Sequence, residues 1–262
     1  MWHAFSVEVE GATLSGERRG NGVPLVLVHG MGESRAGWDA VIAHLPEGLP
    51  VLRYDLRGFG ASLSDEAVEY SHADDLLALL DTLGIPKAAI CGLSMGGAIT
   101  AGFAIAHPNR VEKAVLISPA LAGWEWSDEW RDLWRSVAAA AKSGDLDHAR
   151  ELWWRHPMFD AARDNPEAAP LLRHEIDAFA GRQWINDPQR PVLPDVERLH
   201  ELTAPALLLT GERDFNDFRL IGDLIEAAAP NVRRIDYADA GHMLPLERPL
   251  GVARAIKAFL DA

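Results

Sequence analysis

The chain is poor in cysteine. Cys91 is the single one in 262 residues, which excludes an internal disulfide. Positive charge is also short: 25 Lys and Arg stand against 39 Asp and Glu, for a formal net charge of −14. Such a surface repels phosphate backbones and anionic lipid, so neither a nucleic-acid nor a membrane partner is expected. No apolar run approaches the ~20 residues that a membrane helix needs. The opening MWHAFSVEVE has neither the basic nor the apolar region of a secretory leader. These features together predict a cytoplasmic protein. Glycine-rich loops occur at 54–62 and 92–97, yet neither contains G-K-[ST] or G-x-G-x-x-G, so no nucleotide is implied. H-E-x-x-H and paired cysteines are missing too, so no metal and no cofactor is expected.

What is present is a soluble-enzyme composition, 48% apolar and 24% charged. A chain of this size buries roughly three quarters of its unfolded surface and folds without staples. Residues 3–19 read as two strands with a turn near Gly11. Strands at 23–30, 49–56, 87–93 and 111–118 then alternate with helices near 36–44, 67–83 and 95–107. The alternation stops between Pro119 and Pro194, where only helical patterns occur. Ser127 is placed to cap one helix and Gly144 to close it. Alternation resumes with strands at 204–211 and 232–238 and helices near 217–229 and 247–261. This pattern predicts an α/β fold: a mainly parallel, twisted sheet with helices on both faces. The expected division is a core of 1–118 and 195–262 with a helical cap, or lid, inserted at 119–194.

Gly92-Leu93-Ser94-Met95-Gly96 fits G-x-S-x-G between an apolar strand and a Gly/Ala-rich helix. A sharp strand-to-helix turn projects a serine hydroxyl from the sheet edge, and flanking glycines avoid collision across it. Ser94 is therefore the candidate nucleophile. The N–H of Met95, at the helix start, is a candidate oxyanion donor. A second donor is expected from His29-Gly30-Met31-Gly32, from Met31 with Gly32 as the alternative, and His29 reads as structural. A serine needs a base. His242, in Ala240-Gly241-His242-Met243 after a late strand, is the best placed of ten histidines. His44, His72, His148, His174 and His200 fall on segments that read as solvated. Asp214, directly after a strand in Gly211-Glu212-Arg213-Asp214, is the candidate acid that orients the imidazole. Glu212 and Asp217 are its competitors. Asp55 and Arg57 read as scaffold charges.

Five motifs, HGMG at 29–32, DLRGFG at 55–60, GLSMGG at 92–97, GERD at 211–214 and AGHMLPLERP at 240–249, together resemble the alpha/beta-hydrolase superfamily. Within it, RYDLRGFG with GLSMGG is most similar to 3-oxoadipate enol-lactonase-like hydrolases and carboxylesterases. The order Ser94, Asp214, His242 is the one that this fold implies. Serine at 94 separates the chain from haloalkane dehalogenases and epoxide hydrolases, which use aspartate there. The resemblance implies a carboxylic ester hydrolase acting on a small-molecule ester or lactone, as a monomer or homodimer. A cofactor-free perhydrolase or acyltransferase with the same three residues, or a slow-turnover ligand receptor, are the competing readings. Seven of the nine tryptophans lie in 119–194. Trp124, Trp126, Trp134 and Trp154, with Met243, are the candidate substrate-binding residues, and they favour an apolar or aromatic group.

Overall fold

The short apolar runs become strands of one sheet. In the computed structural model, which describes residues 1–65 and 67–262, these are β1 (His3–Val9), β2 (Ala12–Arg19), β3 (Leu25–Val28), β4 (Val51–Tyr54), β5 (Leu63–Ser64), β6 (Ala88–Leu93), β7 (Val111–Ile117), β8 (Ala206–Gly211) and β9 (Val232–Tyr237). They pair in the order β1-β2-β4-β3-β6-β7-β8-β9, with β5 on β2. Pairs that involve β2 are antiparallel and the others are parallel. Every residue of β3, β6 and β8 is buried. A parallel sheet covered on both faces has no polar side, which is why these strands read as unbroken apolar runs.

The helices are α1 (Asp39–Ile42), α2 (His72–Thr82), α3 (Met95–Ala106), α4 (Asp128–Lys142), α5 (Leu146–Trp154), α6 (Asp160–Asp164), α7 (Ala168–Ala178), α8 (Arg182–Ile185), α9 (Asn216–Ala228), α10 (Leu244–Glu247) and α11 (Pro249–Asp261). Between β7 and β8 the described chain makes α4 to α8 and no strand. Ser127 caps α4, its Oγ accepting from the Trp130 N–H at 3.2 Å, and Gly144 ends the helix region at φ 86°. Among the described residues, no helix is long and apolar enough to cross a membrane.

Two expected boundaries move. The helix expected over 67–83 starts only at His72, capped by Ser71. Val68 instead lies against Gly11, where an added Cβ would fall 2.7 Å from the valine Cβ, while Asp65 N–H bonds the Gly11 carbonyl at 2.8 Å. The preceding stretch thus serves the β1–β2 turn. The last helix, expected near 247–261, begins at Pro249 as α11, and the short α10 stands apart before it because Pro249 has no N–H to continue the ladder.

Because β3, β6, β8 and β9 run parallel, their C-terminal ends share one edge of the sheet. The loops leaving them carry Gly30, Ser94, Asp214 and His242. Ligands of open α/β sheets bind at this edge.

Candidate active site

Ser94 joins β6 to α3 at φ 53° and ψ −114°. Positive φ is costly for a residue with a Cβ. Ser94 and Ser118 are the two such non-glycine residues among the described ones. The surroundings hold the turn. Ser94 N–H donates to the Ile117 carbonyl at 2.9 Å, tying it to β7. A Cβ at Gly92 would lie 1.9 Å from the Gly96 carbonyl oxygen, and one at Gly96 would lie 2.2 Å from that of Val28. Only glycine at both positions lets helix and strand approach this closely.

His242 Nδ1 lies 3.1 and 3.0 Å from the two carboxylate oxygens of Asp214. Asp214 Oδ1 also accepts from the Phe215 N–H at 2.7 Å, which fixes the carboxylate at the end of β8. The Phe218 ring packs 4.1 Å from the imidazole, centroid to centroid. Both side chains of the His242–Asp214 pair are almost wholly buried. Glu247, on α10, was not picked out from the sequence. It accepts from Gly241 N–H at 2.6 Å and from Met243 N–H at 2.9 Å, so it grips the loop on both sides of His242. Burial raises its pKa, and those two amides oppose the rise. The competing acids are elsewhere. Glu212 is exposed. Asp217 accepts from Trp124 Nε1 at 3.0 Å and from the N–H and Oγ of Ser127, tying the start of α4 to α9.

Ser94 and His242 line one cavity of about 940 Å³, together with Met31, Met95 and Met243. That volume suits a ligand of drug-like size. Met95 is the first residue of α3, where a helix leaves its N–H groups without intrahelical acceptors. Among the described residues, Met31 N–H meets no acceptor either. The loop holding Met31 rests on Glu33, whose Oε2 accepts from Gly30 N–H at 2.9 Å. Burial, reinforced by the charge of Glu175, pushes the Glu33 carboxyl up to about 8. His29 is buried under the same loop, its Nδ1 bonded to the Gly30 carbonyl and its Nε2 accepting from Leu56 N–H. Asp55 and Arg57 serve the scaffold: Asp55 takes Arg35 and the Ala61 N–H, and Arg57 forms a buried two-bond pair with Asp75.

Known proteins share this arrangement of chain. The alpha/beta hydrolase fold family matches residues 23–249. The chain belongs to that family. It is 28% identical over 249 residues to carboxylesterase YbfK of Bacillus subtilis, covering 90% of this chain and 79% of that one. It is 26% identical over 261 residues to 3-oxoadipate enol-lactonase 1 of Acinetobacter baylyi, covering 97% and 95%. The crystal structure of the Bacillus subtilis carboxylesterase CesB (YbfK) superposes with a TM-score of 0.83 at 25% identity, covering 99% of this chain and 92% of that one.

In this alpha/beta hydrolase the helical wall over the cavity differs in detail from expectation. Trp126, Trp134 and Met243 line the cavity, as do Trp130 and Trp153. Trp124 does not, because its indole N–H is spent on Asp217. Trp154 does not, because its ring lies under the guanidinium groups of Arg163 and Arg173. Helical spacing alone could not separate Trp153 from Trp154, which point to different sides of α5. His72, read as solvated, is buried and lines the cavity, and burial pushes its pKa down to about 3. His156, given no role from the sequence, is buried among the rings of Trp130, Trp153 and Phe215. Burial first, and then the nearby His242, push it down to about 3, so it stays neutral.

Proposed function

We propose that the protein is a serine hydrolase of the cytoplasm that cleaves a carboxylic ester or lactone of a small, largely apolar substrate through an acyl-enzyme on Ser94. The observation that carries this reading is the His242–Asp214 pair, buried at the rim of the cavity into which Ser94 opens. With Nδ1–H donated to Asp214, Nε2 is the free lone pair. It takes the Ser94 proton as Oγ attacks the carbonyl carbon. The carbonyl π electrons move to oxygen, and the Met31 and Met95 N–H groups receive that oxyanion. When the oxyanion collapses, the C–O bond to the alcohol breaks and His242 returns the proton to the departing oxygen. Water then repeats the sequence: His242 removes its proton, hydroxide adds to the acyl carbon, and Ser94 leaves with that proton. Asp214 stays ionised and stabilises the imidazolium in both halves. The similarity to a carboxylesterase and an enol-lactonase supports ester and lactone carbonyls as the target. The walls of Trp126, Trp134 and Met243 support an apolar substituent.

The test uses 4-nitrophenyl acetate and butanoate with the wild type and Ser94→Ala. The expected result is a stoichiometric burst and steady turnover in the wild type, and a loss on the order of 10⁴-fold or more in Ser94→Ala. Equal turnover by both proteins would overturn the reading.

A further inference from the structure

The cavity extends well beyond the reacting groups. Along α3 the residues that face it are Ala98, Ile99, Gly102 and Ala106, while Ala101, Phe103, Ala104 and Ile105 on the other side are buried in the core. Ser94, Ala98, Gly102 and Ala106 recur every four residues, so they form one small-residue track down the helix. Helical rise puts Gly102 about 12 Å from Ser94 along that track. Val192 and Leu193 also line the cavity, exposed at 62% and 67%.

Asp195 sits at the far end. It lines the cavity but is only 5% exposed. Its Oδ2 lies 2.9 Å from where a Cβ on Gly102 would be, so the carboxylate rests on the bare backbone of the helix. Among the described residues no N–H or O–H donates to it. It begins a three-residue helical turn without capping it: the turn's own bonds run to the Pro194 and Asp195 carbonyls. Arg198, the guanidinium whose charge acts on it, is bonded to Glu201 instead. Its backbone is held in place, with Val196 N–H on the Ala122 carbonyl at 3.1 Å and Pro194 against Gly123. A buried carboxylate without donors is costly. Burial pushes this one up to about 6, with Arg198 opposing and Glu201 reinforcing the rise, so it is charged at neutral pH.

We propose that the α3 arm of the cavity holds the far end of an elongated ester, and that Asp195 selects for a terminal hydrogen-bond donor there, a hydroxyl or a primary ammonium. This rests on the serine-hydrolase reading for the position of the scissile bond. An extended chain covers about 3.5 Å for every three bonds, so a 12 Å span calls for roughly ten bonds. A substrate ending in methyl leaves the carboxylate unpaired, and one ending in carboxylate meets like charge.

The test compares 4-nitrophenyl esters of decanoic, 10-hydroxydecanoic and 10-aminodecanoic acids, and, for the opposite orientation, the acetates of decanol, decane-1,10-diol and 10-aminodecanol. Turnover of 4-nitrophenyl acetate by each variant sets the scale. In one of the two series the wild type should favour the donor-ended esters over the methyl-ended one by about tenfold or more in kcat/KM, carried by KM. Asp195→Leu should reverse the order. Asp195→Asn should keep the hydroxyl preference and lose the ammonium preference, and a hydroxyl-only or ammonium-only preference in the wild type identifies the donor. The proposal is overturned if neither series shows a donor preference, or if the preference survives Asp195→Leu. The same ranking, read as binding to Ser94→Ala by quenching of tryptophan fluorescence, tests Asp195 without turnover. Failure of acetate hydrolysis with a donor preference in binding would therefore count against the hydrolase reading alone.

Discussion

The two sides of the cavity are built differently. The sheet rim is held by hydrogen bonds of defined direction: Asp214 on His242 and Phe215, Glu247 on the amides at 241 and 243, Glu33 on Gly30. The helical wall opposite is held by rings. Trp126 stacks on Trp130 at 4.3 Å, both meet Phe218 edge-on, and Trp153 meets Trp134, Phe159 and Trp184. Hydrogen bonds fix a group to within a fraction of an ångström, as proton transfer demands. Ring packing excludes water and tolerates repacking, as a pocket for variable apolar groups requires. Rim substitutions should therefore act on kcat, and wall substitutions on KM.

Asp214→Asn gives the largest effect that the comparison predicts. The carboxamide oxygen can still accept from Phe215 N–H, but the group can no longer stabilise an imidazolium. Turnover should fall about 10⁴-fold with KM little altered and the thermal midpoint within a few degrees. A loss confined to KM would erase the distinction between rim and wall.

Glu33 sharpens the same comparison through pH. Its carboxyl is raised from 4.5 to about 8 by burial and by Glu175. The folded state therefore holds a proton that the unfolded state releases between those values. Its contribution to stability is fully present below about 4.5 and is lost as pH climbs towards 8, by on the order of 5 kcal/mol across the window. Glu33→Gln should flatten that slope in denaturant titrations at pH 5 and pH 8. Activity should follow. The place where a Gly30 Cβ would stand is 2.9 Å from Glu33 Oε2 and 3.5 Å from Ser94 Cβ, so ionised Glu33 would set a negative charge beside the oxyanion of the proposed reaction. An alkaline fall in wild-type turnover that Glu33→Gln retains would show that another group causes it.

Glu247→Ala should cost less, about 2–4 kcal/mol, since it leaves two buried amides without their acceptor. Released from its clamp, the His242 loop should also lose turnover by about tenfold or more. Glu247→Gln, which keeps one acceptor oxygen, should recover part of both. Full activity with the loop unclamped would mean that Asp214 and Phe218 suffice to place the imidazole.

What could be read in advance divides along the same line. Ser94, Asp214 and His242 stand in short segments whose glycines and strand ends dictate the backbone, so a local pattern carries their position. Gly92 and Gly96 are legible because no other residue fits that turn. The parallel sheet was legible from its unbroken apolar strands. Glu247 and Glu33 were not, because a charged residue near a motif looks solvated until the fold closes over it. Nor was the sorting of the tryptophans. Trp153 and Trp154 are neighbours in sequence, but the docking of α5 against α4 turns one to the cavity and the other to Arg163 and Arg173. His72 was misread as solvated because α2 alone does not reveal that its first turn meets the cavity.

The smallest effect belongs to the wall. Trp126 is half-buried, lies over Trp130 and meets the Phe218 ring that also packs on His242. Trp126→Ala removes the outer ring of that stack and leaves Phe218 supported by Trp130. The expected stability loss is about 1–2 kcal/mol, below the cost of truncating a fully buried tryptophan. KM for aromatic and long-chain esters should rise several-fold, and kcat should move by less than a factor of about three. Trp130→Ala, which removes the ring between Trp126, His156 and Phe218, should exceed it on both measures. If Trp126→Ala instead reduced kcat as strongly as KM, Phe218 would be transmitting wall packing to the imidazole, and the two sides of the cavity would have to be treated as one mechanical unit.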